Sequence, residues 1–208
     1  MNSPYTLFGR PGSGSFAVQV ALEEILVPYE RIWVGREPEA VAKFRTLNPA
    51  GRVPALRLPD GTVLSESAAI LIHLALAHPA AKLGPPPGTT AHARFLQWMV
   101  YLSANVYETA LRYFYSARYS TRGEADSEVI RAQATSDYLR QLELISHELS
   151  PYVLGAEFSL VDVYLHMLAS WCPLEPEQLY QHFPSLGVHA QLLAARVSVR
   201  KADADNTA

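Results

Sequence analysis

The chain is poor in several features, and each scarcity removes a class of function. Its 208 residues contain one cysteine, Cys172. That excludes an intramolecular disulfide framework and fits a reducing, cytoplasmic setting. Beside Pro173, a lone cysteine reads more readily as a small buried hydrophobe than as a nucleophile. No stretch approaches about 18 uninterrupted apolar residues, so no membrane-spanning helix is expected. The start, MNSPYTLFGRPGSGS, lacks a basic region followed by an apolar run, which argues against a secretory signal. Positive charge is not in excess: the formal net charge is −3, so neither nucleic acid nor an anionic membrane is an expected partner. Histidines are scattered without an H-E-x-x-H or clustered spacing, and no metal is expected. Gly9, Gly12 and Gly14 do not make a G-x-G-x-x-G pattern, and no phosphate-loop lysine follows them.

What is present is an ordinary globular composition, 49% hydrophobic and 18% charged, enough for one large domain or two small ones. The first eighty residues alternate strand and helix signals. Tyr5 to Phe8 is a short β-rich run, ended by the turn-forming Gly9 to Gly14. Apolar spacing predicts a helix from Ser15 to Leu26, stopped by Pro28, and a second strand from Tyr29 to Val34. A short helix is expected over Val41 to Leu47. Strands Ala55 to Leu58 and Thr62 to Leu64 flank the hairpin signal Pro59-Asp60-Gly61. A strongly apolar helix follows from Glu66 to Ala77. The order is β-α-β-α-β-β-α, a small mixed sheet: the crossover helix makes the first two strands parallel, and the hairpin makes the last two antiparallel.

Around residues 80–90 the run Leu83-Gly84-Pro85-Pro86-Pro87-Gly88 can continue neither helix nor central strand and reads as an interdomain linker. Beyond it the pattern is helical: Ala91 to about Ala117, Ser127 to Leu149, the nearly all-apolar Phe158 to Ser170, and two shorter segments at Glu175 to Gln181 and Ser185 to Arg196. The polar tail from Lys201 to Ala208 is expected to fray. The fold class is therefore α/β plus all-α, with domains at 1–79 and 91–208 joined by the linker at 80–90.

Four stretches carry a resemblance. They are Pro11 to Val18 after the first strand, Asn48-Pro49-Ala50-Gly51-Arg52-Val53-Pro54-Ala55-Leu56, Leu64-Ser65-Glu66-Ser67-Ala68-Ala69-Ile70, and Gly155 to Asp162 in the helical half. In order and in separation they resemble the cytosolic glutathione transferase superfamily, and the likeness covers essentially the whole chain. The resemblance implies a thioredoxin-like N-terminal domain that binds glutathione as co-substrate, an all-helical bundle domain that supplies the second substrate's pocket, and a homodimer.

The residues themselves bear on each part. Val53-Pro54 opens a strand, where an ordinary trans proline and a cis one are both compatible with the local pattern. The resemblance implies the cis form, with the Val53 backbone turned to pair with a bound peptide as a strand would. Ser65-Glu66-Ser67 stands where a strand enters a helix N-terminus, a ready carboxylate site. Glu66 can pair with an ammonium group and Ser67 can donate a hydroxyl, which suits the γ-glutamyl end of glutathione. A plain helix cap is the bland reading, and it is compatible with binding. Gly14 and Arg52, within the matching stretches, join this binding set.

The sulfur contact is less plainly written. The beta-like pattern places its cysteine at Gly14, so the thiol mechanism of that class is absent. The remaining hydroxyls are Ser13 and Ser15, backed by the dipole of the first helix. Tyr5 ranks below both, and each serine has a purely local alternative as turn or cap. Ser159 to Asp162 has the form of a capping box and is assigned to folding. For the second substrate the candidates lie on the first long helix of the helical half: Tyr101, Asn105, Tyr107 and Tyr113. Trp98, Tyr101 and Asn105 are spaced to share a face. Tyr107 takes the place of a histidine in beta-like members. An aromatic stripe is more often core than pocket, yet buried tyrosines need an outlet for their hydroxyls and so collect at clefts and interfaces. The leading expectation is an enzyme that conjugates glutathione thiolate to small hydrophobic electrophiles, a detoxification chemistry. A glutathione-dependent reductase, dehalogenase or isomerase on the same site is the alternative, and a non-catalytic binding protein stands behind both.

Overall fold

The computed structural model describes residues 4–206. Four strands, β1 (Tyr5–Gly9), β2 (Tyr29–Trp33), β3 (Ala55–Arg57) and β4 (Val63–Ser65), form one sheet in the order β2-β1-β3-β4. β1 and β2 are parallel, with Tyr5 opposite Tyr29 and Gly9 opposite Trp33. β1–β3 and β3–β4 are antiparallel. Helices α1 (Ser15–Ile25), α2 (Pro38–Arg45) and α3 (Ser67–Ala77) complete the thioredoxin-like β-α-β-α-β-β-α order expected from the sequence.

β1 is central, and every residue in it is buried. That fits YTLFG, a strand with no charged position. α1 buries an unbroken run from Ser15 to Leu22. Phe8, Phe44 and Ala55 form a small cluster on which Val53 packs, tying α2 and the start of β3 to the central strand. α2 begins three residues before the expected Val41. Its true start has a signature, an extended Glu37 followed by Pro38 in the first helical position, where the missing N–H costs nothing and φ is pre-set.

The chain forms two compact units. One holds residues 1–87 and 194–208, the other residues 88–193. The second unit is helical: α4 (Thr90–Tyr101), α5 (Glu108–Phe114), α6 (Ser127–Ser146), α7 (Leu160–Ala169), α8 (Pro176–His182) and α9 (Pro184–Ala194). Thr89 caps α4 by accepting from the His92 N–H at 3.1 Å. Between α4 and α5 the helix does not break but widens into a π turn over Leu102–Tyr107. The core of this unit gathers Tyr138, Leu142, Tyr164 and Leu168, and the Tyr138 hydroxyl donates to the Leu168 carbonyl at 2.6 Å.

The expected frayed tail is a correction. The chain returns to the first unit and forms α10 (Val197–Asn206), with Val199 and Ala202 completely buried. Polar sequence misled here because α10 buries one narrow apolar stripe and spends its polar residues on specific partners in the first unit.

Candidate functional site

The sheet register brings three of the matching stretches to one end of the sheet. Phe8 lies opposite Ala55, and Ala55 lies opposite Ser65. The turn after β1, the approach to β3 and the exit from β4 therefore emerge side by side, on strands spaced about 4.8 Å apart. Antiparallel pairing causes this, because it places the end of β1, the beginning of β3 and the end of β4 on the same edge of the layer.

The first segment, residues 9–15, is built around Arg10. Its N–H donates to Ser15 Oγ at 3.2 Å, and its carbonyl accepts from Ser13 Oγ at 2.7 Å and from Ser15 Oγ at 2.9 Å. The two hydroxyl oxygens are 2.9 Å apart. The Arg10 guanidinium reaches across to the Val34 and Gly35 carbonyls at 2.9 and 3.0 Å, pinning the turn to the end of β2. Gly9 allows the close approach, since a Cβ there would fall 2.6 Å from Ser15. Ser15 has no exposed surface, whereas Ser13 is half-buried. The two serines thus differ: Ser15 is built into the turn, and Ser13 borders solvent. Gly14, not Ser15, is the N-cap of α1, with φ −57° and no side-chain cap bond. Tyr5 is placed away from this turn, at the opposite end of β1. Its hydroxyl is 2.9 Å from His78 Nε2, and burial raises its pKa.

The second segment is held by Asn48. Its Nδ2 donates to the Arg52 carbonyl at 2.7 Å, its Oδ1 accepts from the Ala50 N–H at 3.3 Å, and its own carbonyl accepts from Gly51 at 2.8 Å. Gly51 takes φ +64°, a value that suits glycine. Arg52 is exposed, Val53 half-buried and Pro54 buried, and the Val53–Pro54 bond is cis. Between the two forms that the local pattern leaves open, the structure has the cis one.

The third segment contains the one non-glycine residue at this edge with a positive φ. Glu66 sits at φ +68°, ψ +110°, exposed, as the N-cap of α3. Its carbonyl accepts from the Ile70 N–H at 2.9 Å. The Glu66 side chain makes no cap bond to α3, and the N-cap position itself falls on Glu66, between Ser65 and Ser67. Ser67 is the first helical residue and is buried. A non-glycine residue in this region costs on the order of 1–3 kcal/mol and persists where surrounding structure imposes it, often at a ligand site.

In the helical unit the four pocket candidates have separate ring and hydrogen-bond contacts. Tyr101 stacks edge-on against Trp98 at 5.3 Å, and its hydroxyl donates to the Gln141 carbonyl of α6 at 3.4 Å. Tyr107 packs edge-on against Trp171 at 5.3 Å and, tilted, against Tyr164 of α7 at 6.4 Å. Tyr113 meets Phe114. Asn105 is exposed, with its amide donating to the Tyr101 carbonyl at 3.3 Å, while Trp98 is buried. The π turn that starts at Leu102 changes the angular spacing of the residues after it, Asn105 included, relative to a regular helix. Arg10, Asn48 and His78 were not singled out in the sequence. Asn48 had a signal, an Asx-turn residue ahead of Pro-Ala-Gly; Arg10 had none.

Among the described residues no group of three or more His, Cys, Asp and Glu side chains is arranged to hold a metal ion, and no helix is long and apolar enough to cross a membrane.

Residues 15–77 match the family described as glutathione S-transferase, N-terminal domain. The chain is 31% identical over 173 residues to the uncharacterized GST-like protein YncG of Escherichia coli K12, covering 80% of this chain and 82% of that protein. The chain belongs to the cytosolic glutathione S-transferase superfamily. It is also 28% identical to glutathione S-transferase GstA of Escherichia coli O157:H7, over 79% of this chain and 81% of that one. Among solved structures it resembles a Sulfitobacter glutathione transferase homologue with bound glutathione, at a TM-score of 0.89, 29% identity and full coverage of both chains. A sphingomonad glutathione S-transferase complexed with glutathione is similar at a TM-score of 0.83 and 30% identity, over 97% of this chain and 98% of that one.

Proposed function

We propose that the protein is a glutathione S-transferase that conjugates glutathione thiolate to small hydrophobic electrophiles, acting in the cytoplasm as a homodimer. The observation that carries this reading is the convergence of the turn at 10–15, the Val53–Pro54 entry and the left-handed start of α3 at one end of the sheet. Glutathione bound in its relatives supports the same ligand here.

The chemistry assigns each segment a role. The Val53 backbone pairs with the cysteinyl portion of the peptide, in the manner of an added strand. Arg52, exposed beside it, and the start of α3 with Ser67 take the ligand's carboxylates. Glu66 takes the γ-glutamyl ammonium. Ser13 donates to the sulfur and favours thiolate over thiol, with the N-terminus of α1 and Gly14 behind it. Ser15 acts through the turn: its buried hydroxyl and the Arg10 backbone keep Ser13 in place. A free thiol ionises near pH 8.5, so one or two units of stabilisation decide how much thiolate exists at neutral pH. The thiolate then attacks the electrophilic carbon and forms the C–S bond. A leaving group departs with its electron pair, or in an addition the adjacent carbon takes a proton from water. Tyr101, Asn105, Tyr107 and Tyr113 contribute aromatic and polar surface for the electrophile.

Retention on immobilised glutathione, followed by turnover of chlorodinitrobenzene, tests the proposal. Retention and conjugate formation are expected. Failure to bind glutathione contradicts every glutathione-dependent reading, and binding without turnover across several electrophiles contradicts the transferase assignment.

A further inference from the structure

α10 lies antiparallel along α1, and its polar contacts follow α1 in order. Arg196, just before α10, forms two bonds of 2.7 Å to the Glu24 carboxylate, and Ser198 donates to the same group. One turn on, Lys201 Nζ reaches Glu23 at 2.7 Å. At the far end Asp205 Oδ2 accepts from Gln19 Nε2 at 2.6 Å and also pairs with Arg31 of β2. Asn206 donates to Gln19 Oε1 at 3.3 Å.

These contacts are not equivalent. Lys201 is largely exposed, and single surface ion pairs contribute little. The fork of Arg196 on Glu24 has defined geometry. Gln19 is different again, because it has no exposed surface. Its buried amide is bonded by the last two residues of α10 and also meets the Tyr29 hydroxyl of β2, and a buried amide left without partners is costly. Gln19 is also one helical turn from Ser15, so they lie on the same stretch of α1. The segment that carries the β1–α1 turn is therefore fixed from outside by the C-terminal end of the chain.

We propose that α10 is a strap that holds α1 against β2 and thereby positions the β1–α1 turn for its ligand, with Gln19, Asp205 and Asn206 as positioning residues. As regards the ligand, this rests on the proposed glutathione site.

The test compares the full-length protein with Asp205→Ala/Asn206→Ala and with the conservative Asp205→Asn, which keeps an acceptor for Gln19. Amide hydrogen exchange is followed over residues 10–20 and, separately, over α6 and α7, and glutathione is titrated calorimetrically. In the double variant, exchange over residues 10–20 should quicken by about tenfold while α6 and α7 keep their rates. Glutathione affinity should fall by about fivefold, and Asp205→Asn should restore most of both. Unchanged exchange over residues 10–20 overturns the strap, as does equal quickening in α6 and α7, which marks global loosening. Quickening with unaltered glutathione affinity overturns the positioning role. A wild-type protein that ignores glutathione overturns the proposed function instead, and exchange alone then decides the strap.

Discussion

Helix α7 begins inside a closed network, whereas α3 begins at an exposed Glu66 in left-handed backbone whose own side chain makes no cap bond. At the start of α7 the Asp162 carboxylate is fully buried and accepts from the Val153 N–H at 2.9 Å, the Ser159 N–H at 2.8 Å and Ser159 Oγ at 3.0 Å, and His189 Nε2 lies 3.2 Å away. That start is answered by the chain itself and serves folding. The start of α3 sits at the sheet edge beside the Val53–Pro54 entry, where we propose that it serves recognition. The same element of backbone chemistry, a helix N-terminus in want of partners, is spent in two ways. At α7 the chain supplies the carboxylate; at α3 we propose that a ligand does.

Substitutions should separate the two starts. The largest effect is expected at Asp162: Asp162→Ala leaves several buried donors without an acceptor and should cost about 3–5 kcal/mol in urea unfolding, with glutathione affinity of the folded fraction unchanged. Next comes the pH response of α7. Burial first, and then the charge of His189, hold the His166 pKa down to about 4 from its ordinary 6.5. The unfolded chain therefore binds this proton more readily than the folded one. This contribution is complete above pH 6.5 and is lost as the pH falls toward 4, a loss of up to about 3 kcal/mol. Unfolding measured across that interval should show it, and His166→Phe should flatten the slope.

Glu66→Gly should do the opposite of Asp162→Ala. Glycine accepts the backbone angles of Glu66, so stability should hold or rise by up to about 1 kcal/mol, while glutathione affinity drops about tenfold with the lost carboxylate. The smallest effect is expected from Ser13→Ala, which should raise the pKa of bound glutathione's thiol by about 1 unit, read from the ultraviolet absorbance of the thiolate, with little change in stability.

The same contrast explains what the sequence could announce. The sheet-edge segments were legible because backbone-shaping residues build them: Asn48 and Gly51 around a turn, Pro54 at a strand start, a serine-rich helix entry. Such residues act locally and leave local patterns. The α7 start was legible for the same reason, through Ser159 and Asp162. Long-range side-chain choices were not. Nothing near Arg10 says that its guanidinium will meet the Val34 and Gly35 carbonyls, and nothing in Tyr5 announces His78. In the tail Lys201, Asp205 and Asn206 read as solvated polar chain, and only the positions of Glu23 and Gln19 on α1 turn it into a docked helix. The π turn after α4 left no mark in the spacing of Trp98, Tyr101 and Asn105, which reads as regular helix. Between Ser13 and Ser15 the sequence offered no distinction, and burial supplies one.

We propose that the left-handed start of α3 at Glu66 is kept for glutathione. Calorimetric titration of glutathione into the wild-type protein and the Glu66→Gly variant, side by side, tests it most directly. The account predicts saturable binding to the wild type and about tenfold weaker binding to a variant that is at least as stable. Equal affinity for both, or no binding to the wild type, would contradict it.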